Sequence, residues 1–136
     1  MQARRALWSS VGTLVMVAAG LTVTASPAYA AGYNGACGSG YNVIDSMSVS
    51  SGKGTVYLTY NGGYNCLVTV NNTGSTLWMG AQLEIAGGSW KLDEGWYKSY
   101  AGPVYVYAAN SCVDWGGWAS TAKNGETFIK WNDHCG

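Results

Sequence analysis

The chain has 136 residues with seven basic and seven acidic side chains, and only 10 % of its residues are charged. That length suits one domain with one hydrophobic core. No run of either charge occurs, which excludes the basic stripe a nucleic-acid binder needs to displace counterions.

Residues 1–30 read as a secretory signal peptide. Arg4 and Arg5 supply a positive start, an apolar stretch runs from Val11 to Val23, and Ser26-Pro27-Ala28-Tyr29-Ala30 supplies the small-x-small cleavage signal. The apolar stretch is short for a membrane anchor and contains Gly and Thr, so the expectation is cleavage and no membrane attachment afterwards. The residues after Arg4-Arg5 do not continue a twin-arginine pattern, which leaves ordinary secretion.

Residues 31–136 then form a single domain that keeps five lysines against seven acids, a net charge of −2. It also holds eighteen glycines, six tryptophans and nine tyrosines. Many turns combined with much aromatic area suit a compact β-domain.

Strand signals recur along this region and no helical period does. Tyr41 to Val49 is the first strand. Thr55 to Tyr60 is rich in β-branched and aromatic residues, turns at Asn61-Gly62-Gly63 and returns as Asn65 to Val70. Leu77, Met79, Ala81, Leu83 and Ile85 alternate with Trp78, Gly80, Gln82 and Glu84, the pattern of a sheet with one buried face. A shorter strand is expected from Trp96 to Tyr100. Val104, Val106 and Ala108 alternate with Tyr105 and Tyr107. Cys112 to Trp118 and Thr127 to Trp131 follow, with a single helical turn allowed at Ala119 to Lys123. The expected fold is all-β: a small antiparallel β-sandwich or barrel of about seven to eight strands, closed by two disulfides.

Cys37, Cys66, Cys112 and Cys135 form an even set in an exported chain, so they read as disulfides. Strand direction favours Cys37–Cys66 and Cys112–Cys135, because each pair then meets at one end of a meander. A single histidine and the lack of a Cys-x-x-Cys spacing argue against a metal site and for no cofactor.

The chemistry-bearing residues do not assemble a catalytic set on the page of the sequence. His134 reads as a surface histidine beside a disulfide, since no serine is marked as its partner and Gly-x-Ser-x-Gly is absent. Asp93 and Glu94 lie in a glycine-flanked stretch that reads as a solvent-facing turn. Asp45, Glu84 and Asp114 read as solvated strand acids, and Asn71-Asn72-Thr73 fits a glycosylation acceptor. The candidates for binding are aromatic: Trp78 on the polar face of its strand, and Tyr105 and Tyr107 opposite an aliphatic face. Exposed, these rings would form a platform for sugar rings or another surface; buried, they would fill a two-sheet core.

Five ordered segments carry a family likeness: Tyr33-Asn34-Gly35-Ala36-Cys37-Gly38-Ser39-Gly40-Tyr41, Gly54 to Asn61, Asn65 to Val70, Tyr100 to Val106, and Cys112-Val113-Asp114-Trp115-Gly116-Gly117. Together they resemble the spore-associated protein A family of filamentous actinomycetes. The resemblance implies an exported protein at or near the spore surface, and it carries over no catalytic residue or ligand.

The reading that follows is a secreted, non-enzymatic surface or spore-associated protein, extracellular or held at the cell surface. Its partner would be a cell-wall or spore-surface component. A wall-glycan binding module is the alternative. A secreted protease inhibitor is another, presenting a rigid loop around Gly87 to Gly95. An enzyme would need Asp114, Asp133 and His134 to converge in a cleft.

Overall fold

The computed structural model describes residues 32–136, which form eight β-strands. The expected signal peptide, residues 1–30, and the start of the mature segment at Ala31 lie outside the described residues. The strands are β1 (Asn42–Val49), β2 (Gly54–Asn61), β3 (Tyr64–Asn71), β4 (Leu77–Ile85), β5 (Lys91–Tyr97), β6 (Tyr100–Tyr107), β7 (Val113–Ser120) and β8 (Phe128–Asp133). They pair antiparallel into two four-stranded sheets, ordered β1-β2-β3-β6 and β5-β4-β7-β8. The fold is the β-sandwich alternative of the sequence reading.

Alternation explains the layering. Val56, Leu58 and Leu67 from the first sheet meet Leu77, Met79, Ala81, Leu83, Val113, Trp115 and Ala119 from the second, all of them buried. Each large aliphatic side chain so enclosed stabilises the fold by about 1.5–3 kcal/mol. Ile85, expected on the same face, is exposed at the end of β4. The two sheets approach closely at one point, where the Thr69 hydroxyl donates to the Gly80 carbonyl at 2.8 Å. A Cβ on Gly117 would come within 2.4 Å of both of those oxygens, so only glycine fits there.

A smaller apolar cluster lies on the outer face of the first sheet. Tyr33 and Cys37 of the N-terminal segment cover Tyr57, Cys66 and Val68. The disulfides join Cys37 to Cys66 and Cys112 to Cys135, as strand direction indicated. The first straps the N-terminal segment to β3. The second ties the chain end to the start of β7.

Two local expectations are corrected. The strand expected from Trp96 to Tyr100 is instead β5, Lys91–Tyr97, and Tyr100 already opens β6. Pairing with β4, from Leu83 opposite Lys91 to Leu77 opposite Tyr97, outweighs the poor strand propensity of Asp93-Glu94. Ala119 and Ser120 belong to β7 and residues 121–124 form bends and turns, so the helical turn allowed there is absent; a 3₁₀ turn lies at Ser50–Gly52.

Candidate functional site

Because side chains alternate along a strand, each sheet presents an outer face, and the aromatics divide between the two. Tyr64, Tyr105 and Tyr107 lie on the outer face of the first sheet, with Tyr105 opposite Cys66 and Tyr107 opposite Tyr64 in the register. Trp78, Trp96 and Trp118 lie on the outer face of the second. The expected trio of Trp78, Tyr105 and Tyr107 is therefore split across opposite sides of the sandwich and does not form one platform.

The tyrosine side is partly engaged within the molecule. The Tyr105 hydroxyl donates to the Cys37 carbonyl at 3.0 Å, and its ring meets Tyr41 edge-on at 5.7 Å. Burial, and secondarily the neighbouring Tyr41, raise the Tyr105 phenol above its ordinary value. Tyr107 is 57 % exposed and packs edge-on against Tyr64.

The tryptophan side is more extensive. Trp78 and Trp96 face each other across β4 and β5 with ring centroids 5.5 Å apart, and the Lys123 ammonium lies 4.7 Å from the Trp78 ring centre. The Trp118 ring lies over Gly80, where a Cβ would approach it within 2.1 Å. Six residues further along β4, about 20 Å away at strand rise, Trp90 and Trp131 touch with centroids 5.9 Å apart. Trp96 is 49 % and Trp131 62 % exposed, and Leu92 is exposed between them. Trp90, Trp96 and Trp131 escaped the sequence reading because only the strand register shows which indoles share a face.

Glu84 and Asp114 occupy the same face at the Trp90–Trp131 end, directly opposite each other in the register. They are only 5 % and 3 % exposed. Trp90 precedes β5 by one residue and Trp131 lies in β8 where its register with β7 shifts. The Asp114 carboxylate also accepts the Asn132 N–H at 2.8 Å. Burial first, then the hydrogen bond to Asp114 and its charge, raise the Glu84 carboxyl above its ordinary value. These two acids are not the solvated strand residues expected.

A second cluster forms where β1 meets the chain end. The His134 Nε2 lies 3.0 Å from Asp45 Oδ2 and 3.5 Å from Asp133 Oδ2, and the Lys130 ammonium is 3.2 Å from Asp45 Oδ2. The Trp115 indole N–H donates to Asp133 Oδ2 at 3.0 Å. His134 is thus half-buried and partnered, not a bare surface histidine. Of the set Asp114, Asp133 and His134, only the last two meet; Asp45 is their companion and Asp114 belongs with Glu84. Burial acts to raise the Asp45 carboxyl, and hydrogen bonds from His134, the Ser46 N–H and Lys130 outweigh it, holding Asp45 below its ordinary value.

Other residues singled out by sequence have structural work. Asp93, expected in a solvent-facing turn, sits in β5, where its carboxylate accepts the Gly102 N–H and the Tyr97 hydroxyl, each at 2.7 Å, and so links the two sheets. Glu94 beside it is exposed. The stretch expected as a protruding loop, Gly87 to Gly95, is largely β5. The Asn71 side chain donates to the Ser75 carbonyl and accepts from Thr73, so the amide of the glycosylation motif is engaged in its own turn.

Over 127 residues the chain is 51 % identical to spore-associated protein A of Streptomyces coelicolor, a match covering 86 % of this chain and 80 % of that protein. No family model matches the chain. No solved structure matches it either.

Proposed function

The chain belongs to the spore-associated protein A family, and from that premise we propose that it is an exported, non-enzymatic protein that stays at the cell or spore surface, attached through the tryptophan face of its second sheet. The observation that carries this reading is the row of large rings on that face, with Trp96 and Trp131 about half exposed or more. Apolar side chains gathered on one sheet face, with no core of their own to fill, are the usual mark of a contact surface. Two disulfides in a small domain fit an oxidising, extracellular setting.

The tyrosine side serves this role less well. Its Tyr105 hydroxyl is held by the N-terminal segment, so Tyr105 and Tyr107 are not part of the contact. A wall polysaccharide is the counter-surface favoured by the composition of the tryptophan face. Indoles stack on the apolar faces of sugar rings, and Gln82 and Glu94 offer acceptors for hydroxyl groups among them.

Fractionation of the producing cells with quantitative detection of the mature protein tests the reading. The protein is expected in the wall or spore fraction. Recovery of nearly all of it free in the medium would remove surface residence.

A further inference from the structure

The cluster of Asp45, Asp133 and His134 lies apart from the tryptophan row, where β1 of the first sheet meets the end of β8 in the second. Asp45 Oδ2, Asp133 Oδ2 and His134 Nε2 lie within 4.8 Å of one another. The imidazole nitrogen is 3.0 Å from one carboxylate oxygen and 3.5 Å from the other. In a tetrahedral zinc site, bonds of about 2.0–2.2 Å place neighbouring ligand atoms about 3.3–3.5 Å apart. The two separations from the imidazole nitrogen are already close to that spacing.

The backbone aims all three groups at one point. The β1–β2 register shifts between Val43 and Asp45, and the β7–β8 register shifts between Val113 and Trp115. Such bulges redirect side chains out of the regular alternation. Asn132 and His134 both adopt positive φ, at 49° and 48°, which turns the chain so that Asp133 and His134 face Asp45. Cys135 follows at once and fixes the turn through its disulfide.

Both carboxylates are oriented by groups outside the trio. The Ser46 N–H donates to Asp45 Oδ1 at 2.7 Å, leaving Oδ2 turned to His134. The Trp115 indole holds Asp133. Partners of this kind fix ligand orientation before a metal arrives. His134 also borders a cleft of about 540 Å³, lined by Ile44, Tyr60, Asn65 and Ala108 among others.

We propose that Asp45, Asp133 and His134 form a binding site for a divalent cation of the zinc class, with its remaining position open to water or to a small ligand in the cleft. The Lys130 ammonium is the placeholder. It lies against Asp45 and 5.0 Å from the Trp115 ring centre, with its side chain 40 % exposed, so it can withdraw into solvent as the metal enters. Because Asp45 comes from the first sheet and the other two ligands from the end of the second, the bound metal clamps the two sheets together.

The test uses the untagged, disulfide-bonded mature protein in chelator-free buffer, with zinc chloride as the titrant and calorimetry and thermal unfolding as readouts. One zinc per chain is expected, together with a rise in unfolding midpoint. H134Q and D45N should each weaken binding at least tenfold and remove the rise. K130M, which deletes the competing ammonium, should bind zinc more tightly than the parent. H134Q alone is not decisive if it fails to fold, and D45N and K130M then carry the comparison. No zinc-dependent heat or midpoint shift at millimolar zinc, zinc binding undiminished in folded D45N or H134Q, or weaker binding by K130M would each overturn the proposal.

Discussion

Glu84 and Asp114 stand directly opposite each other across β4 and β7, both almost wholly buried on the outer face of the second sheet. Burial first, and then Asp114 beside it, raise the Glu84 carboxyl above its ordinary value, because the charged form is the costlier one there. They lie toward the end of the second sheet that also carries Trp131, the most exposed indole of the proposed contact surface. The pair thus makes the stability of this end of the sheet depend on pH.

The sign of that dependence follows from the raised value of Glu84. Its ordinary value is 4.5, and its folded-state value is higher, because of burial first and then Asp114. The stability contributed by the protonated pair is complete below the ordinary value and is lost as pH rises through the folded one. E84Q keeps a donor to Asp114 without the proton. It should raise the unfolding midpoint by a few degrees at neutral pH and flatten the decline between acid and neutral conditions, read by thermal unfolding across that range.

Asp45 has the opposite sign. Its folded value lies below the ordinary 3.8, so the stability it adds is present above that value and fades as pH falls through the folded one. D45N should cost about 1 kcal/mol at neutral pH, because the ion pairs it removes are partly open to solvent. The difference between parent and variant should vanish in strong acid, as measured by urea unfolding at several pH values.

The Cys112–Cys135 bridge spans 23 positions of sequence. Replacing both cysteines by alanine should cost about 3 kcal/mol through the larger freedom of the unfolded chain. The same change frees the turn that presents His134, so zinc should stabilise the double variant less than the parent. Denaturant midpoints with and without zinc give both results.

Much of the fold was legible in sequence because it rests on alternation and turns. Leu77, Met79, Ala81 and Leu83 announced a buried face, and Asn61-Gly62-Gly63 announced the hairpin between β2 and β3. The cysteine pairing followed from strand direction. β5 was placed late because its acids and glycine mask a strand that is imposed by its partner β4. The sites were harder to read for one physical reason: sharing a face depends on cross-strand register, which a single strand does not encode. Trp96 joins Trp78, Glu84 joins Asp114, and Asp45 joins His134 only once the sheets are assembled. The bulges at Asp45 and Trp115 add to this, because they break the alternation from which side-chain direction is inferred.

The central claim is attachment through the tryptophan face, and cosedimentation with purified wall and spore-coat material tests it most directly. The parent protein and a variant carrying Y105A and Y107A should be retained to a similar degree. A folded variant carrying W96A and W131A should lose at least tenfold of that retention. Equal retention of the tryptophan variant, or no retention of the parent, would contradict the account.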